Sequence, residues 1–523
     1  MKAASRFSLS SSLFLSQSYT QVILTRKEKC LVERESTTDM TSDINSVTTE
    51  KSALLPLNNS VADSTESSDE IRTYQRRWWI LVVFCVCASN QSYLWNTWAP
   101  IADATQIAFG WPKYFPALLL GVSNALSAVM AFPIMYFIEK TDLRQATVLS
   151  SFLMVMCIIA WNIALQARQK WLIVVGAALN GITGAVTMAS PSLLSVTWFP
   201  TSERAIATAF AVLSGYTGNG LAFITGPYIS GANVTVGEVR HRKMLDEGFI
   251  TSLRLGILKI MYYGATITFI GFLMTMLYFP PGPPKKPSEV QNAVREEFIS
   301  GFKKIAKNHD FWLLSTAYNL SNALFNSWLP LSSINFRSLN IDEVTAGWIG
   351  FTAIMTSSVS SVFISYIMNY FKKRVKLFLQ LANLVALTMF VILICIQRSY
   401  IFVPPSFVTT SLYILCTGAA ISINGVIPLY YELACDSAFP ADEGLTGSVI
   451  VTVNNLLGFT VLMLFLHPTL ALDTEWMTWS CLGACVLTIP MLFFMKENYN
   501  RLDIDSGDST DIKVLSKGSD SDY

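Results

Sequence analysis

Four stretches of otherwise apolar sequence carry neutral amides and aromatic rings: Trp95 and Asn96; Tyr216 and Asn219; Asn319, Asn322 and Asn326; Asn454 and Asn455. Tyr216 and Asn219 are three apart and Asn322 and Asn326 four apart, so on a helix each pair shares a face. Amides donate and accept without charge, while flat rings stack on other rings or attract cations through their quadrupole. No Lys or Arg lies in the middle of these stretches, so a phosphate or carboxylate ligand has no counter-charge there. The set suits a neutral or weakly cationic, hydroxyl-bearing small molecule. Asn inside a membrane also bonds neighbouring helices, and that structural use stands beside the binding one.

Chemistry of other kinds finds little support. His241, His309 and His467 have no second His or Cys at metal-ligand spacing. No Ser/His or Asp/Asp set falls within an apolar stretch, which argues against an enzyme, and no cofactor is expected. Eight of the nine cysteines sit in or beside apolar blocks, Cys85 and Cys485 among them, where a reduced packing role is expected.

These groups must be held by membrane-spanning helices. Of 523 residues, 52% are hydrophobic and 14% charged, against about 25% charged in a soluble domain. The 37 Lys and Arg nearly balance the 36 Asp and Glu, leaving no global field to attract nucleic acid. Apolar blocks of about 20 residues are each long enough to cross a hydrocarbon core. Twelve are expected: 78–100, 115–138, 145–166, 171–197, 206–230, 257–280, 311–335, 345–371, 375–396, 407–433, 446–467 and 477–495. The expected organisation is a disordered tail (1–76), a six-helix bundle (77–280), a linker (281–310), a second bundle (311–497) and a tail (498–523). Before Glu28 the chain holds Lys2, Arg6, Arg26 and Lys27 among serines, a weak likeness to a presequence; a flexible extension with Met40 as a second start is preferred.

Lys and Arg cluster before the first block and in the 2–3, 6–7 and 8–9 loops, which predicts cytoplasmic termini. The 5–6 loop disagrees with Arg240, Arg242 and Lys243, but it interleaves acids and carries Asn233-Val234-Thr235, a glycosylation acceptor on the non-cytoplasmic side. The halves echo each other. Asn96-Thr97-Trp98-Ala99-Pro100 returns as Asn326-Ser327-Trp328-Leu329-Pro330, and Phe199-Pro200 followed by Glu203 returns as Phe439-Pro440 followed by Glu443, at offsets of 230 and 240 residues. Two parallel six-helix repeats make an all-α membrane protein with the architecture of the major facilitator superfamily.

The segments Leu94 to Ile101, Thr197-Trp198-Phe199 with Glu203-Arg204-Ala205, Ala346 to Phe351, and Tyr431-Glu432-Leu433 with Phe439-Pro440 and Glu443-Gly444 resemble solute carrier family 49, over about residues 74 to 502. The resemblance implies a lysosomal secondary transporter that alternates access between its halves. It implies a vitamin-like solute, pyridoxine first, coupled to protons, with choline, ethanolamine or haem carriage as the alternative. A receptor or scaffold without turnover is the alternative from another class. It also places the four polar stretches on cavity-lining helices and maps substrate contacts onto Trp95, Tyr216, Asn326 and Asn455. The sequence departs from the superfamily at the 2–3 turn, Glu139-Lys140-Thr141-Asp142-Leu143-Arg144, where Asp142 replaces the usual Gly.

Glu432 has two readings: a protonatable coupling group, or a gating ion pair with Arg204 as partner. Asp103 is a further coupling candidate. Trp98, Trp111 and Trp328 are expected as interfacial anchors. In the tail, Glu50 stands four residues before Leu54-Leu55, the form that clathrin adaptor complexes read when sorting cargo to lysosomes.

Overall fold

In the lipid core a chain must satisfy its backbone hydrogen bonds within itself, and each apolar block therefore closes into a helix. A computed structural model describes residues 74–200, 203–231, 247–283, 298–368, 374–439, 441, 443–467, 470 and 474–497. The sorting motif Glu50, Leu54 and Leu55, the acceptor Asn233, residues 1–73 and residues 498–523 lie outside the described residues.

The first half comprises α1 (Arg76–Trp95), the short α2 (Ala102–Phe109), α3 (Phe115–Lys140), α4 (Leu143–Ala167), α5 (Lys170–Trp198), α6 (Arg204–Ser230) and α7 (Glu247–Leu277). A short helix, α8 (Phe298–Lys307), precedes the second half: α9 (His309–Trp328), α10 (Ser332–Asn335), α11 (Glu343–Met368), α12 (Val375–Gln397), α13 (Pro405–Ile423), α14 (Ile427–Ala438), α15 (Glu443–Leu464) and α16 (Glu475–Phe494). With α13 and α14 taken as one span, ten of these helices are long and apolar enough to cross a membrane. The two other long helices are α6 and α9.

Four element boundaries differ from the sequence reading, each for a local reason. The first span ends at Trp95, because Pro100 lacks an N–H and the chain turns through Asn96–Ile101 into α2. The seventh ends at Trp328 and passes through a 3-10 turn that holds Pro330. The sixth begins at Glu247, ten residues early, where Arg254 donates Nε–H to the Ala108 carbonyl at 2.7 Å and so settles a cation on the helix. The tenth is broken at Asn424–Val426 and resumes in α14, whose second residue is Pro428. A continuous helix needs an N–H at 428 for the Asn424 carbonyl, and proline has none. Gly425 permits the turn, since a Cβ there would run into the Ile421 carbonyl and the Ser360 hydroxyl.

The longest seams between the halves, among the described residues, are α3 against α15 and α6 against α11. Small residues let the backbones approach: a Cβ on Gly347 would strike the Phe223 carbonyl. Within the first half Gly218 lies as close to the Ser89 carbonyl. Trp98, Trp111 and Trp328 are 3%, 4% and 0% exposed, so they are core residues and not interfacial anchors. Trp98 meets the Trp111 and Trp161 rings at 5.2 Å each, and Trp328 donates to Thr478 at 3.1 Å. Both copies of the repeated Asn-x-Trp segment thus bury their tryptophan.

Candidate functional site

The polar stretches of the second half converge. Asn322, about 20 Å of helix rise into α9 at 1.5 Å per residue, donates to Asn424 at 3.0 Å and accepts from Asn326 at 2.9 Å and Asn454 at 3.0 Å. Asn424 in turn donates to Asn326 at 3.3 Å. Asn326 keeps an exposed side chain although it is bonded to two inward-facing amides. Asn424 was not legible as a site residue, because its role depends on the helix break, for which Gly425 and Pro428 are the only local signals. One turn nearer the start of α9, Tyr318 packs its ring 5.2 Å from Tyr430 and 5.8 Å from Tyr431. Asn319 donates to Ser315 at 3.1 Å within α9, and its buried carbonyl oxygen has no hydrogen-bond partner.

In the first half the candidates divide. Asn96 donates to Asn219 at 2.6 Å, closing the end of α1 against α6. Trp95 and Tyr216 are half-buried and pack against the cluster that holds Phe325 and Trp328 of α9, so both stand where the halves meet. Gln91, one turn before Trp95 on the same face, is 2% exposed; its Oε1 accepts from Thr187 at 3.2 Å, and its Nε2 has no partner. A Cβ added at Gly184 would meet both the Trp95 ring and Gln91 Nε2, so the three adjoin. A buried donor left open beside an aromatic face is a place for a ligand acceptor. Its sequence signal was the i, i+4 spacing to Trp95.

Asn455 faces elsewhere. Its side chain donates to Ser127 of α3 at 3.1 Å, across a seam between the halves.

The acidic candidates also separate. Glu432 is exposed on α14 and makes no ion pair with Arg204, whose Nε donates to the Phe199 carbonyl at 3.2 Å. The neighbouring residue makes the pair: Glu203 meets Arg77 at 2.9 Å, and the Arg77 guanidinium lies 5.7 Å from the Phe199 ring. Asp142 has φ −131 and ψ 156, extended backbone open to any residue, so the turn needs no Gly here. Asp103 is 6% exposed and pairs with Arg337 of the second half.

Residues 80–462 match the family model of the Major Facilitator Superfamily. The chain belongs to that superfamily. Among its relatives is a solute carrier family 49 member 4 homolog of Xenopus tropicalis, 28% identical over 444 residues, which cover 83% of this chain and 94% of the relative. The choline/ethanolamine transporter FLVCR1 of Mus musculus is 23% identical over 400 residues, 73% of this chain and 68% of that one. Among solved structures, a bacterial homolog of the human lysosomal transporter Spinster, inward-facing and unoccupied, superposes with a TM-score of 0.56 at 14% identity, covering 81% of this chain and 95% of that one. Members of the superfamily related to this chain are transporters and not enzymes, and the expected all-α fold and family stand. The chain is a multi-pass membrane transporter built for alternating access.

Proposed function

We propose that this transporter moves a neutral or weakly cationic, hydroxyl-bearing small organic solute, with pyridoxine as the leading candidate, across the lysosomal membrane and coupled to protons. The observation that carries the reading is the amide cluster Asn322, Asn326, Asn424 and Asn454, an uncharged set of donors and acceptors bonded to one another, with no Lys or Arg among its hydrogen-bond partners in the described residues. Trp95 and Gln91 supply a ring and an open donor from the other half. A solute held between the halves favours whichever arrangement closes on it, and rocking around it exchanges access. Asn96 donates to Asn219 and supports the site; Asn455 bonds across the seam. The lysosomal assignment rests on Glu50, Leu54 and Leu55 and on the family resemblance; cytoplasmic termini rest on the loop charges.

Purified protein in liposomes, given labelled pyridoxine with and without an imposed proton gradient, tests the reading. Time-dependent accumulation that follows the gradient supports it. Saturable binding without accumulation marks a receptor, and accumulation of choline, ethanolamine or haem in place of pyridoxine moves the substrate within the family.

A further inference from the structure

At the membrane face opposite the described chain ends, reached after the first and seventh spans, the halves are tied at one place by two carboxylates. The first-turn N–H groups of α2 have no partners inside their own helix. Asp103 and Ala104 donate theirs to the carboxylate of Glu343, the first residue of α11 in the other half, with Ala104 at 3.3 Å from Oε2. Glu343 is 3% exposed. In return, the Asp103 carboxylate accepts from Arg337 of the second half, in the turn that follows α10. Each half therefore contributes a carboxylate that the other half satisfies.

Charge counting separates the two acids. Arg337 is committed to Asp103, and Lys113, before α3, adds a further attraction to it. Glu343 is held by the Asp103 and Ala104 backbone N–H groups and the positive end of the α2 dipole; the Asp103 carboxylate repels it and Arg337 adds only a weaker attraction. Charge-assisted bonds of this kind are about twice as strong as neutral ones, and protonation turns them into neutral ones. Among the described residues, Asp103 is the acid that acts on Glu343: α10 has no titratable residue, Arg254 of α7 is turned to the Ala108 carbonyl, and Asp342 accepts from Thr345 N–H at 3.1 Å while standing in electrostatic range of Tyr413 on α13.

We infer that Glu343 is the proton-operated bolt of this face: a proton taken up on its carboxylate releases α2 and lets the halves part here, and loss of that proton draws them together. Burial pushes the neighbouring Asp103 carboxyl up from the usual range against the pull of Arg337, so Asp103 takes up a proton more readily than an exposed acid. The inference rests on the proton-coupled reading above, and it names the group and the step at which the proton acts.

The experiment needs no solute. Spin labels at Arg168→Cys and Tyr400→Cys, exposed positions on this face in different halves, report the separation in the full chain reconstituted in lipid. Acidification should raise the long-distance population several-fold. Glu343→Gln, which keeps an acceptor oxygen but no charge, should hold that population high at every pH, whereas Asp103→Asn should keep the pH response with a shifted midpoint. A Glu343→Gln chain that still responds to pH like the parent, a response lost in Asp103→Asn alone, or a parent that does not respond would each overturn the inference. Failed solute uptake with an intact distance response would instead sink the carrier reading and leave the bolt standing.

Discussion

Asn322 donates its amide to Asn424 at 3.0 Å, so a residue in mid-helix on α9 is bonded to one in the break between α13 and α14. The accounting around this bond shows what is spent and what remains. Asn322 Oδ1 already takes two donors, from Asn326 and Asn454. Asn454 gives its amide N–H to that oxygen, and Asn326 keeps exposed surface. Asn322 is thus the hub that orders the cluster, and the groups with capacity for a solute are on the residues around it.

Replacing Asn424 by Ala removes an acceptor from Asn322 and a donor to Asn326. A neutral hydrogen bond contributes roughly 0.5–1.5 kcal/mol, so solute affinity should fall about twofold to tenfold. The half-saturation of labelled uptake in liposomes reads this directly. An unchanged half-saturation would detach the cluster from the solute.

Trp95→Ala and Gln91→Ala test the other half of the site. Loss of an aromatic contact costs about 0.5–1.5 kcal/mol, and Gln91 Nε2 is an open donor whose bond to a solute is of similar size. Each variant should weaken uptake about twofold to tenfold and leave the melting temperature within a few degrees of the parent. A large fall in melting temperature with normal affinity in the survivors would make both residues structural.

The fold was legible because apolar length is a coarse property: a block of about 20 residues forms a spanning helix whatever its partners. The two halves were legible because Trp98 and Trp328 head the same local pattern. What escaped depends on who meets whom. The tenth span read as continuous because its break is only three residues long, Asn424 to Val426, and only Gly425 and Pro428 mark it. Glu343 stood outside the expected eighth span, and its partners lie 239 and 240 positions away in the other half. Asp103 was singled out by type, yet nothing local tied it to Arg337. Trp98 and Trp111 read as interfacial by their place near span ends, but the turn through Asn96–Ile101 folds that region back onto Trp161.

Glu203→Ala should destabilise the folded chain. Arg77, 12% exposed in its side chain, would lose its 2.9 Å partner and keep a guanidinium with two nitrogens already unbonded. A buried charge left unpaired costs about 1–3 kcal/mol or more, while Arg204→Ala breaks only a bond to a backbone carbonyl and should cost less. Thermal unfolding of both variants in detergent gives the order. The reverse order would move the main tie of this face to Arg204.

Asn455 separates affinity from exchange. Its amide holds Ser127 at 3.1 Å across the α3–α15 seam, and Gly458, one turn further along α15, leaves room for Asn124 to approach the same seam. A bond between halves changes the balance between the two access states and touches the solute in neither. Asn455→Ala should therefore alter the maximal rate of uptake by a few-fold and leave half-saturation near the parent value, the opposite pattern to Asn424→Ala. Ser127→Ala should reproduce it, and the double variant should add little, because both remove the same bond. If Asn455→Ala raised half-saturation about tenfold while Ser127→Ala did nothing, Asn455 would belong to the binding site that the family resemblance implies for it.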